Sequence, residues 1–257
     1  MAALLETRGV SKSYGDFHAL RNVSLAVSEG EFVSIVGPNG AGKTTLVNVV
    51  TGLLRPTAGE VRFRGRDIAG IGPVELAKRG MARAFQLVNI FPALSVRETL
   101  AVAVASRLER VRNPFRSLRR DGELQAAVES VADIFGLGSR LETEAATLSQ
   151  GEKKLLDVAS AFALEPDVIL LDEPTSGVST SDKHAIMELL VAAAKAAGLR
   201  AIIQVEHDMD LVARYSDRIV ALQEGAVLAD LPPDRFFDDP ALISAVVGTR
   251  PRRSMPC

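Results

Sequence analysis

The stretch GPNGAGKT, residues Gly37 to Thr44, decides the fold of this 257-residue chain. It fits the pattern G-x-x-x-x-G-K-[ST], in which glycines let successive backbone N–H groups converge on phosphate oxygens. The apolar run EFVSIVG before it predicts a strand that is buried on both faces. The stretch GKTTLVNVVTGL after it predicts a helix, and the N-terminus of a helix attracts anions. Strand, loop and helix in this order predict a phosphate-binding site.

The side chains of this loop are expected to act on phosphates and on a metal ion. Lys43 would reach the β- and γ-phosphates of ATP, and the hydroxyl of Thr44 would bind Mg²⁺. A ligand-free glycine turn is the alternative, but the strand before the loop and the helix after it favour the phosphate site. The candidate nucleotide contacts in this loop are Gly37, Pro38, Asn39, Gly40, Ala41, Gly42, Lys43, Thr44 and Thr45.

The stretch VILLDEP, Val168 to Pro174, supplies a complementary pair of carboxylates. Its four apolar residues predict another buried strand, which places Asp172 and Glu173 at the carboxyl end, where open α/β sheets bind ligands. Asp172 is the candidate Mg²⁺ ligand, and Glu173 is the candidate general base for an attacking water. Capping of a following helix is the structural alternative, and the phosphate loop upstream favours the catalytic one.

The remaining patterns predict an α/β fold, a phosphate-loop NTPase core with two additions. The first thirty residues alternate as short strands and GEVRFRGRDI predicts another, which together favour an N-terminal antiparallel β subdomain. The pattern is helical over about 72–164, and we expect an α-helical subdomain over about 88–164, inserted in the core. A single domain over residues 1–248 and a disordered tail over 249–257 are expected.

Local signals mark the elements of the helical block and of the C-terminal half. Ser95 followed by Glu98 is the signal of a capping box. The stretch SDKHAIMELLVAAAKAAG predicts a helix and RAIIQVEHD a strand, while DRIVALQEGAVLAD predicts a strand pair around Glu224 and Gly225. Short helices are predicted in PPDRFFDDPALISAVVG. The alternation of strands and helices is typical of an α/β core.

Composition and charge exclude several classes of protein. Hydrophobic residues make up 47% of the chain and charged residues 24%, which is typical of a globular protein with a sizeable core. The net charge of −2 provides no basic field, so no nucleic-acid partner is expected. Cys257 is the single cysteine, which excludes disulfides and Cys-based metal sites within the chain. No apolar run approaches the roughly 20 residues that span a bilayer, and no signal peptide is evident, so we expect a cytoplasmic protein.

In their residues and in their order along nearly the whole chain, these motifs resemble those of the ATP-binding-cassette ATPases. GPNGAGKT looks like the phosphate loop of that family, VILLDE looks like its Walker B strand, and LSQGE, Leu148 to Glu152, resembles its signature motif, usually written LSGGQ. Gln86 in ARAFQL matches the Q-loop, His207 in VEHDM matches the switch histidine, and Tyr14 lies where the family has an adenine-stacking aromatic residue. The signature motif separates this family from other phosphate-loop ATPases.

The resemblance implies a role for each of these residues. Gln86 would contact Mg²⁺ and the attacking water, His207 would sense the γ-phosphate and support hydrolysis, and Tyr14 would stack on adenine. Ser149 and Gly151 open a helix, so that a hydroxyl, a backbone N–H and the helix dipole would point at a γ-phosphate. For the first three, the alternatives are an unremarkable glutamine, a structural histidine after a strand and a surface tyrosine.

In this family the signature of one subunit meets the phosphate loop of another, and two ATP molecules lie between two ATPase domains. One chain carries one loop and one signature, which implies a second ATPase subunit. Gln150 and Glu152 depart from the family's signature, and Ser179 stands where its D-loop commonly has an aspartate. Because Ser149 and Gly151 are kept, phosphate contact is expected to survive, while Ser179 favours a partner with a different D-loop.

Two classes of function fit the motifs, the ATPase of a membrane transporter and a soluble ATPase that acts on ribosomes or DNA. The sequence lacks the tandem cassettes, long coiled coils and zinc modules usual in the second class, which favours the transporter. ARAFQLVNIFPALSVRETLAVA and VEHDMDLV look like the ATPases of branched-chain, or hydrophobic, amino-acid uptake systems. In these systems two different ATPase subunits and two transmembrane permease subunits are fed by a solute-binding protein. Amide, urea and aromatic-acid importers and the lipopolysaccharide-export ATPase are similar, and are the alternatives.

The resemblance also implies a location, peripheral on the cytoplasmic face of the inner membrane. The segment Phe85 to Leu94 is the predicted docking surface for the permease. The Arg-rich stretch Arg107 to Glu123 could contact anionic lipid headgroups or an acidic loop of a partner, although a solvated linker is the favoured interpretation. The C-terminal RPRRS has the same two interpretations.

Overall fold

The computed structural model of the protein describes residues 3–84, 91–110 and 118–247. The strands are β1 (Leu5–Tyr14), β2 (Phe17–Val27), β3 (Phe32–Val36), β4 (Ala58–Phe63), β5 (Arg66–Asp67), β6 (Met81–Ala84), β7 (Val168–Asp172), β8 (Ala201–Val205), β9 (Arg218–Gln223) and β10 (Ala226–Leu231). The α-helices are α1 (Lys43–Val50), α2 (Pro73–Lys78), α3 (Val96–Arg107), α4 (Gly122–Ile134), α5 (Gln150–Phe162), α6 (Thr180–Ala196), α7 (Met209–Tyr215), α8 (Pro233–Phe237) and α9 (Pro240–Val247).

The larger sheet of the described residues has five parallel strands and one antiparallel edge strand, in the order β10-β9-β3-β8-β7-β6. Every residue of β3, β7 and β8 is buried, as expected for parallel strands with both faces covered. The segments after β3 and β7 leave the sheet at its carboxyl edge. The Gly37–Thr44 loop and the Asp172–Glu173 pair therefore lie at the edge where such sheets bind ligands.

The smaller sheet is antiparallel and has the order β2-β1-β4-β5 among the described residues, which confirms the predicted N-terminal β subdomain. The prediction of one strand for GEVRFRGRDI is wrong, because this stretch is the β4–β5 hairpin. Arg64 and Gly65 have φ angles of 52° and 72°, and two consecutive left-handed residues reverse the chain between Phe63 and Arg66. A short basic hairpin turn thus replaces the expected continuous strand.

The segment between β6 and β7 contains α3, α4 and α5, whose apolar faces share one buried cluster. The predicted capping box at Ser95 and Glu98 is confirmed at the start of α3. The prediction of a wholly helical pattern over 72–164 is wrong at β6, which pairs with β7 in parallel. The sheet imposes this strand on the short sequence MARA, whose local pattern does not distinguish strand from helix. The subdomain bounds 88–164 stay a prediction.

The C-terminal half follows the predicted order of elements. The β9–β10 pair turns at Glu224 and Gly225, and α8 and α9 are the two short helices expected near the end. The tail predicted over 249–257 lies outside the described residues. Within the described ranges, no helix combines the length and the apolar character required to cross a bilayer.

Candidate active site

Two glycines allow neighbouring backbone to pack against the Gly37–Thr44 loop. Gly37 and Gly42 have φ angles of 151° and 99°. A Cβ on Gly37 would overlap the carbonyl oxygen of Leu222, and a Cβ on Gly42 would lie only 2.6 Å from that of Ala19. Because β9 and β2 approach so closely, any other residue at these two positions would displace the loop.

The β9–β10 turn also holds the loop through hydrogen bonds. Gly225 donates its N–H to the carbonyl of Ala41 at 3.1 Å, and the carbonyl of Gly225 accepts the N–H of Arg21 at 2.7 Å. A Cβ on Gly225 would lie 2.7 Å from the carbonyl oxygen of Ala19. The segments near residues 20 and 225 therefore both pack against the loop and fix its shape.

Lys43 begins helix α1 and folds back over the loop. Its Nζ donates to the carbonyls of Gly37 at 2.7 Å and Pro38 at 3.0 Å, and the residue is only 6% exposed. Burial lowers the pKa of Lys43, an effect that the carboxylates of Glu173 and Asp172 oppose. The first turn of α1 has no acidic residue. The ammonium and the free N–H groups of α1 thus present positive charge to an anion.

A cavity of about 310 Å³ opens over the loop and brings the predicted catalytic side chains to it. Its lining joins the phosphate-loop backbone, the N-terminus of α1, the start of β2 and the segments after β7 and β8. The lining residues are Phe17, Ala19, Asn39, Gly40, Ala41, Gly42, Lys43, Thr44, Thr45, Glu173 and His207. Residues predicted from three separate motifs therefore meet in one cavity.

Tyr14, the predicted adenine-stacking residue, is not among the residues that line this cavity. Tyr14 is the last residue of β1 and is 49% exposed. The ammonium of Lys12 lies 5.3 Å from the centroid of its ring. Its partner across the β1–β2 pair is Phe17, which lines the cavity and is 64% exposed. Phe17 is a site residue that the sequence analysis missed, although an aromatic residue three positions after Tyr14 was a visible signal.

Glu173 and His207 form a direct pair. Nε2 of His207 lies 2.9 Å from Oε1 of Glu173, within hydrogen-bond distance. Glu173 has a φ of 51°, a strained conformation for a residue with a side chain, and its N–H donates to the carbonyl of Val205 at 2.9 Å. Such strain is concentrated at functional sites, which fits the role predicted for Glu173.

Asp172 is held by a buried arginine that the sequence analysis did not single out. Nη2 of Arg83 lies 2.7 Å from Oδ2 of Asp172, and Nη1 of Arg83 donates to Oδ1 of Asn48 at 2.6 Å. The Arg83 and Asp172 side chains are 8% and 2% exposed. Arg83 is on β6, the strand that the sequence pattern concealed, so its proximity to Asp172 could not be predicted.

Removal of this arginine should be strongly destabilising. Arg83→Met leaves the Asp172 carboxylate buried without its cation, and we expect a loss of about 3–5 kcal/mol in the free energy of unfolding. Arg79→Met removes an exposed arginine paired with Glu75 and should cost at most about 1 kcal/mol. Urea denaturation of both variants measures the difference. Equal stabilities would contradict the structural role of the Arg83–Asp172 pair.

Glu206 is a second buried charge that the sequence analysis missed. It is 4% exposed, and its Oε1 accepts the hydroxyl of Thr175 at 2.6 Å. Its Oε2 accepts the N–H groups of His207 and Asp208 at 2.8 and 3.2 Å. Next along the chain, Asp208 pairs with Lys183 at 2.7 Å. The backbone around His207 is therefore fixed from both sides, and an acidic residue directly after an apolar strand was the available signal.

Comparison with known proteins identifies the family. A family model described as "ABC transporter" matches residues 20–176. The chain belongs to the ABC transporter family. Among its relatives, the high-affinity branched-chain amino acid transport ATP-binding proteins LivG of Salmonella typhimurium and BraF of Pseudomonas aeruginosa are each 33% identical over 252 residues, which cover 95% of this chain and 98% of theirs.

Solved structures of ABC cassettes share the fold. The ADP conformation of an ATP-binding cassette of an ABC transporter has a TM-score of 0.84 at 27% identity, with 97% of this chain and 100% of that chain covered. A nucleotide-free cassette has a TM-score of 0.83 at 28% identity, with 96% and 100% covered. The protein is thus an ABC ATPase that binds nucleotide, and its phosphate-loop NTPase fold is confirmed.

Ser149 and Gln150 of the signature segment are exposed, and no residue of this segment lines the cavity. A helix begins here as predicted, with Ser149 as the N-cap of α5, and Ser149 forms a capping box with Glu152, whose carboxylate accepts the N–H of Ser149 at 2.8 Å. This hydrogen bond, together with Arg140 at 3.0 Å, lowers the pKa of Glu152. Glu152, in place of the usual glutamine, therefore supports the cap and keeps Gly151 at an open helix end.

The D-loop and the Q-loop complete the comparison with the predictions. Ser179, in place of the family's aspartate, caps α6 and hydrogen-bonds to the Asp182 carboxylate at 2.6 Å. Its side chain thus has a local structural role.

Gln86, predicted to contact Mg²⁺ and water, lies outside the described residues, as do most of the Phe85–Leu94 segment and residues 111–117 of the Arg-rich stretch.

Proposed function

We propose that this ABC ATPase powers an importer of branched-chain or other hydrophobic amino acids. The ATPase part rests on one observation, the cavity in which the Asn39–Thr45 backbone faces both Glu173 and His207. The substrate class is supported by relatives whose names state branched-chain amino acid transport and which align with 95% of the chain. We place the protein on the cytoplasmic face of the inner membrane, bound to transmembrane permease subunits. A solute-binding protein would deliver the amino acid to those subunits.

Each candidate residue would have a distinct chemical role in this cavity. The loop N–H groups and Lys43 would hold the phosphates of ATP, and the rings of Tyr14 and Phe17 would flank the adenine. Glu173 would take a proton from the attacking water. His207, whose Nε2 lies 2.9 Å from Oε1 of Glu173, would hold that carboxylate in position until the water is in place.

The donor set at the edge of the sheet fits Mg²⁺. Mg²⁺ in nucleotide sites binds one or two protein oxygens and completes its octahedral shell with phosphates and water. Thr44 and Asp172 would be those ligands, with Gln86 the further predicted one. When bound, Mg²⁺ neutralises negative charge on the β- and γ-phosphates.

A second ATPase subunit, a distinct homologue, would complete each site. Ser149 and Gly151 lie at an exposed helix N-terminus, away from the cavity of their own chain. That position suits contact with the γ-phosphate of a partner's ATP. Because the side chain of Ser179 is engaged with Asp182, a D-loop of different sequence on the partner would supply the missing inter-subunit contact.

Light scattering on purified Glu173→Gln protein tests this pairing. We expect the protein alone to bind Mg-ATP and to stay monomeric, because its own D-loop lacks the aspartate. Addition of the partner ATPase should give an ATP-dependent dimer. A stable dimer of this chain alone would contradict a distinct partner and favour a homodimeric system such as a lipopolysaccharide exporter.

Uptake by host cells tests the substrate class. Cells in which the chain carries Glu173→Gln should lose high-affinity uptake of labelled leucine, isoleucine and valine, while uptake of urea and of an aromatic acid stays normal. The matched control is Glu224→Gln, which changes an exposed glutamate on the β9–β10 turn. Loss of urea or aromatic-acid uptake with normal leucine uptake would assign the chain to a related importer instead.

The described part of the predicted permease-docking segment is open to solvent. Phe91 is 55% exposed, and a cavity of about 590 Å³ next to Leu94 is bounded by α3 and by residues near the start of α4. An exposed aromatic residue beside an open groove suits contact with a segment of another protein. This geometry supports the proposal that residues 85–94 face the permease.

A further inference from the structure

The backbone of Glu173 is held on both of its polar groups. Its N–H donates to the carbonyl of Val205 at 2.9 Å, and its carbonyl accepts both the N–H of Ser176 at 3.1 Å and Nζ of Lys154 at 3.3 Å. Among these contacts the residue has a φ of 51°. A strained residue persists only when its surroundings over-determine it, so the three contacts together maintain the conformation that presents the carboxylate to the cavity, and Lys154 supplies the one that comes from another helix.

Lys154 is an unusual residue for its position, because only 6% of it is exposed. Burial lowers its pKa, and four carboxylates oppose that effect. They are Asp157, Glu173, Asp172 and Glu206. Lysine is almost never buried unless it is paired, and its dehydration costs stability that a methionine or leucine would not cost. The buried ammonium therefore interacts with four carboxylates, one of which, that of Glu173, lines the cavity.

Helix α5 connects this ammonium to the signature. Ser149 is the N-cap of α5 and Lys154 is five residues further on, roughly 7.5 Å along the helix axis. The helix packs in the same apolar cluster as α3, α4 and α6, and it contacts strands β6 and β7. The N-terminus of α5 is thus open to a partner's nucleotide. About one and a half turns later, the side chain of Lys154 contacts Glu173 of its own chain.

We propose that Lys154 is a positioning residue that links the two ATP sites of the ATPase pair. Contact of Ser149 and Gly151 with the partner's γ-phosphate shifts α5, and Lys154 transmits that shift to the carbonyl of Glu173. Each chain's Glu173 reaches its working position when the neighbouring site contains ATP. This inference rests on the proposed pairing, in which the signature faces the partner's nucleotide.

Lys154→Met tests the link, with Lys153→Met as the matched control. Lys153 is the preceding residue on the same helix and is more exposed than Lys154. In the assembled ATPase pair we expect Lys154→Met to lower kcat about 10- to 100-fold. The dissociation constant for ATP should change less than about twofold, and the Hill coefficient for ATP should fall to about 1. Lys153→Met should leave all three quantities at wild-type values.

Several results would overturn the proposal. A normal kcat in Lys154→Met shows that the contact with the Glu173 carbonyl is dispensable. A lower kcat with an unchanged Hill coefficient shows positioning without coupling between sites, and the same loss in Lys153→Met shows a nonspecific effect on α5.

A second variant covers the case in which Lys154→Met does not fold. Asp157, 8% exposed, would then be left near the apolar methionine, and Lys154→Met with Asp157→Asn removes that charge. The same changes in kcat and Hill coefficient are expected of the double variant, and normal values overturn the proposal. If wild-type protein forms no ATP-dependent pair with any ATPase, the proposed function fails, and that failure is separate from the role of Lys154.

Discussion

Replacement of Glu173 by glutamine leaves ATP binding intact and lowers the rate of hydrolysis at least about 100-fold. Glutamine has nearly the shape of glutamate and can keep the contact with His207, but its amide cannot accept a proton from water. The backbone contacts to Val205 and Lys154 do not involve the side chain and should persist. Single-turnover hydrolysis of labelled ATP measures the rate, and equilibrium titration with ATP measures the affinity.

The control for this variant is Glu224→Gln. Glu224 also has a left-handed backbone, with a φ of 48°, but its side chain is exposed on the β9–β10 turn. Its replacement should leave hydrolysis at the wild-type rate. Hydrolysis by Glu173→Gln at a comparable rate would show that another group accepts the proton, and Glu173 would then be a structural residue.

Replacement of Lys43 by alanine should abolish ATP binding at micromolar concentrations. The ammonium is expected to exchange its hydrogen bonds with the carbonyls of Gly37 and Pro38 for bonds to the β- and γ-phosphates. Two hydrogen bonds to charged groups are worth about 1.5–3 kcal/mol each, so the dissociation constant should rise at least about 100-fold, at 1.4 kcal/mol per factor of ten. Isothermal titration calorimetry measures the change.

Lys195→Ala is the matched control, since Lys195 is an exposed lysine in the last turn of α6. Its affinity for ATP should equal that of the wild type. Circular dichroism of both variants confirms that each is folded. Unchanged ATP affinity in the folded Lys43→Ala protein would refute the assignment of Gly37–Thr44 as the phosphate loop.

Features that depend on residues close together in the chain could be predicted from the sequence. The Gly37–Thr44 loop and the Asp172–Glu173 pair each follow an apolar run that only a buried strand explains, so their meeting at one sheet edge could be inferred. The cap at Ser95 was likewise visible, because the serine and the glutamate of a capping box are three residues apart. Signals of this kind depend on neighbours in sequence and not on the rest of the fold.

The features that left no local signal depend on contacts between distant segments. Arg83 is important because β6 lies beside β7, and MARA gives no local sign of a strand. The periodicity of α5 alone predicts that its polar residues, Lys154 among them, face solvent. The packing of α5 against β6 and β7 nevertheless buries Lys154. The position of Phe17 three residues after Tyr14 was a visible signal, but its place in the cavity lining depends on the approach of β2 to the phosphate loop.

The contact of Gly225 with Ala41 and Arg21 has a consequence for synthesis of the protein. Synthesis of the phosphate-loop sequence is complete at residue 44, whereas the turn that holds the loop in shape is made about 180 residues later. At roughly 5–20 residues per second, the nascent chain spends many seconds with the loop sequence complete and its final support absent. A ribosome-bound chain stalled before residue 218 should therefore not retain ATP, and one extended past residue 231 with room to clear the exit tunnel should.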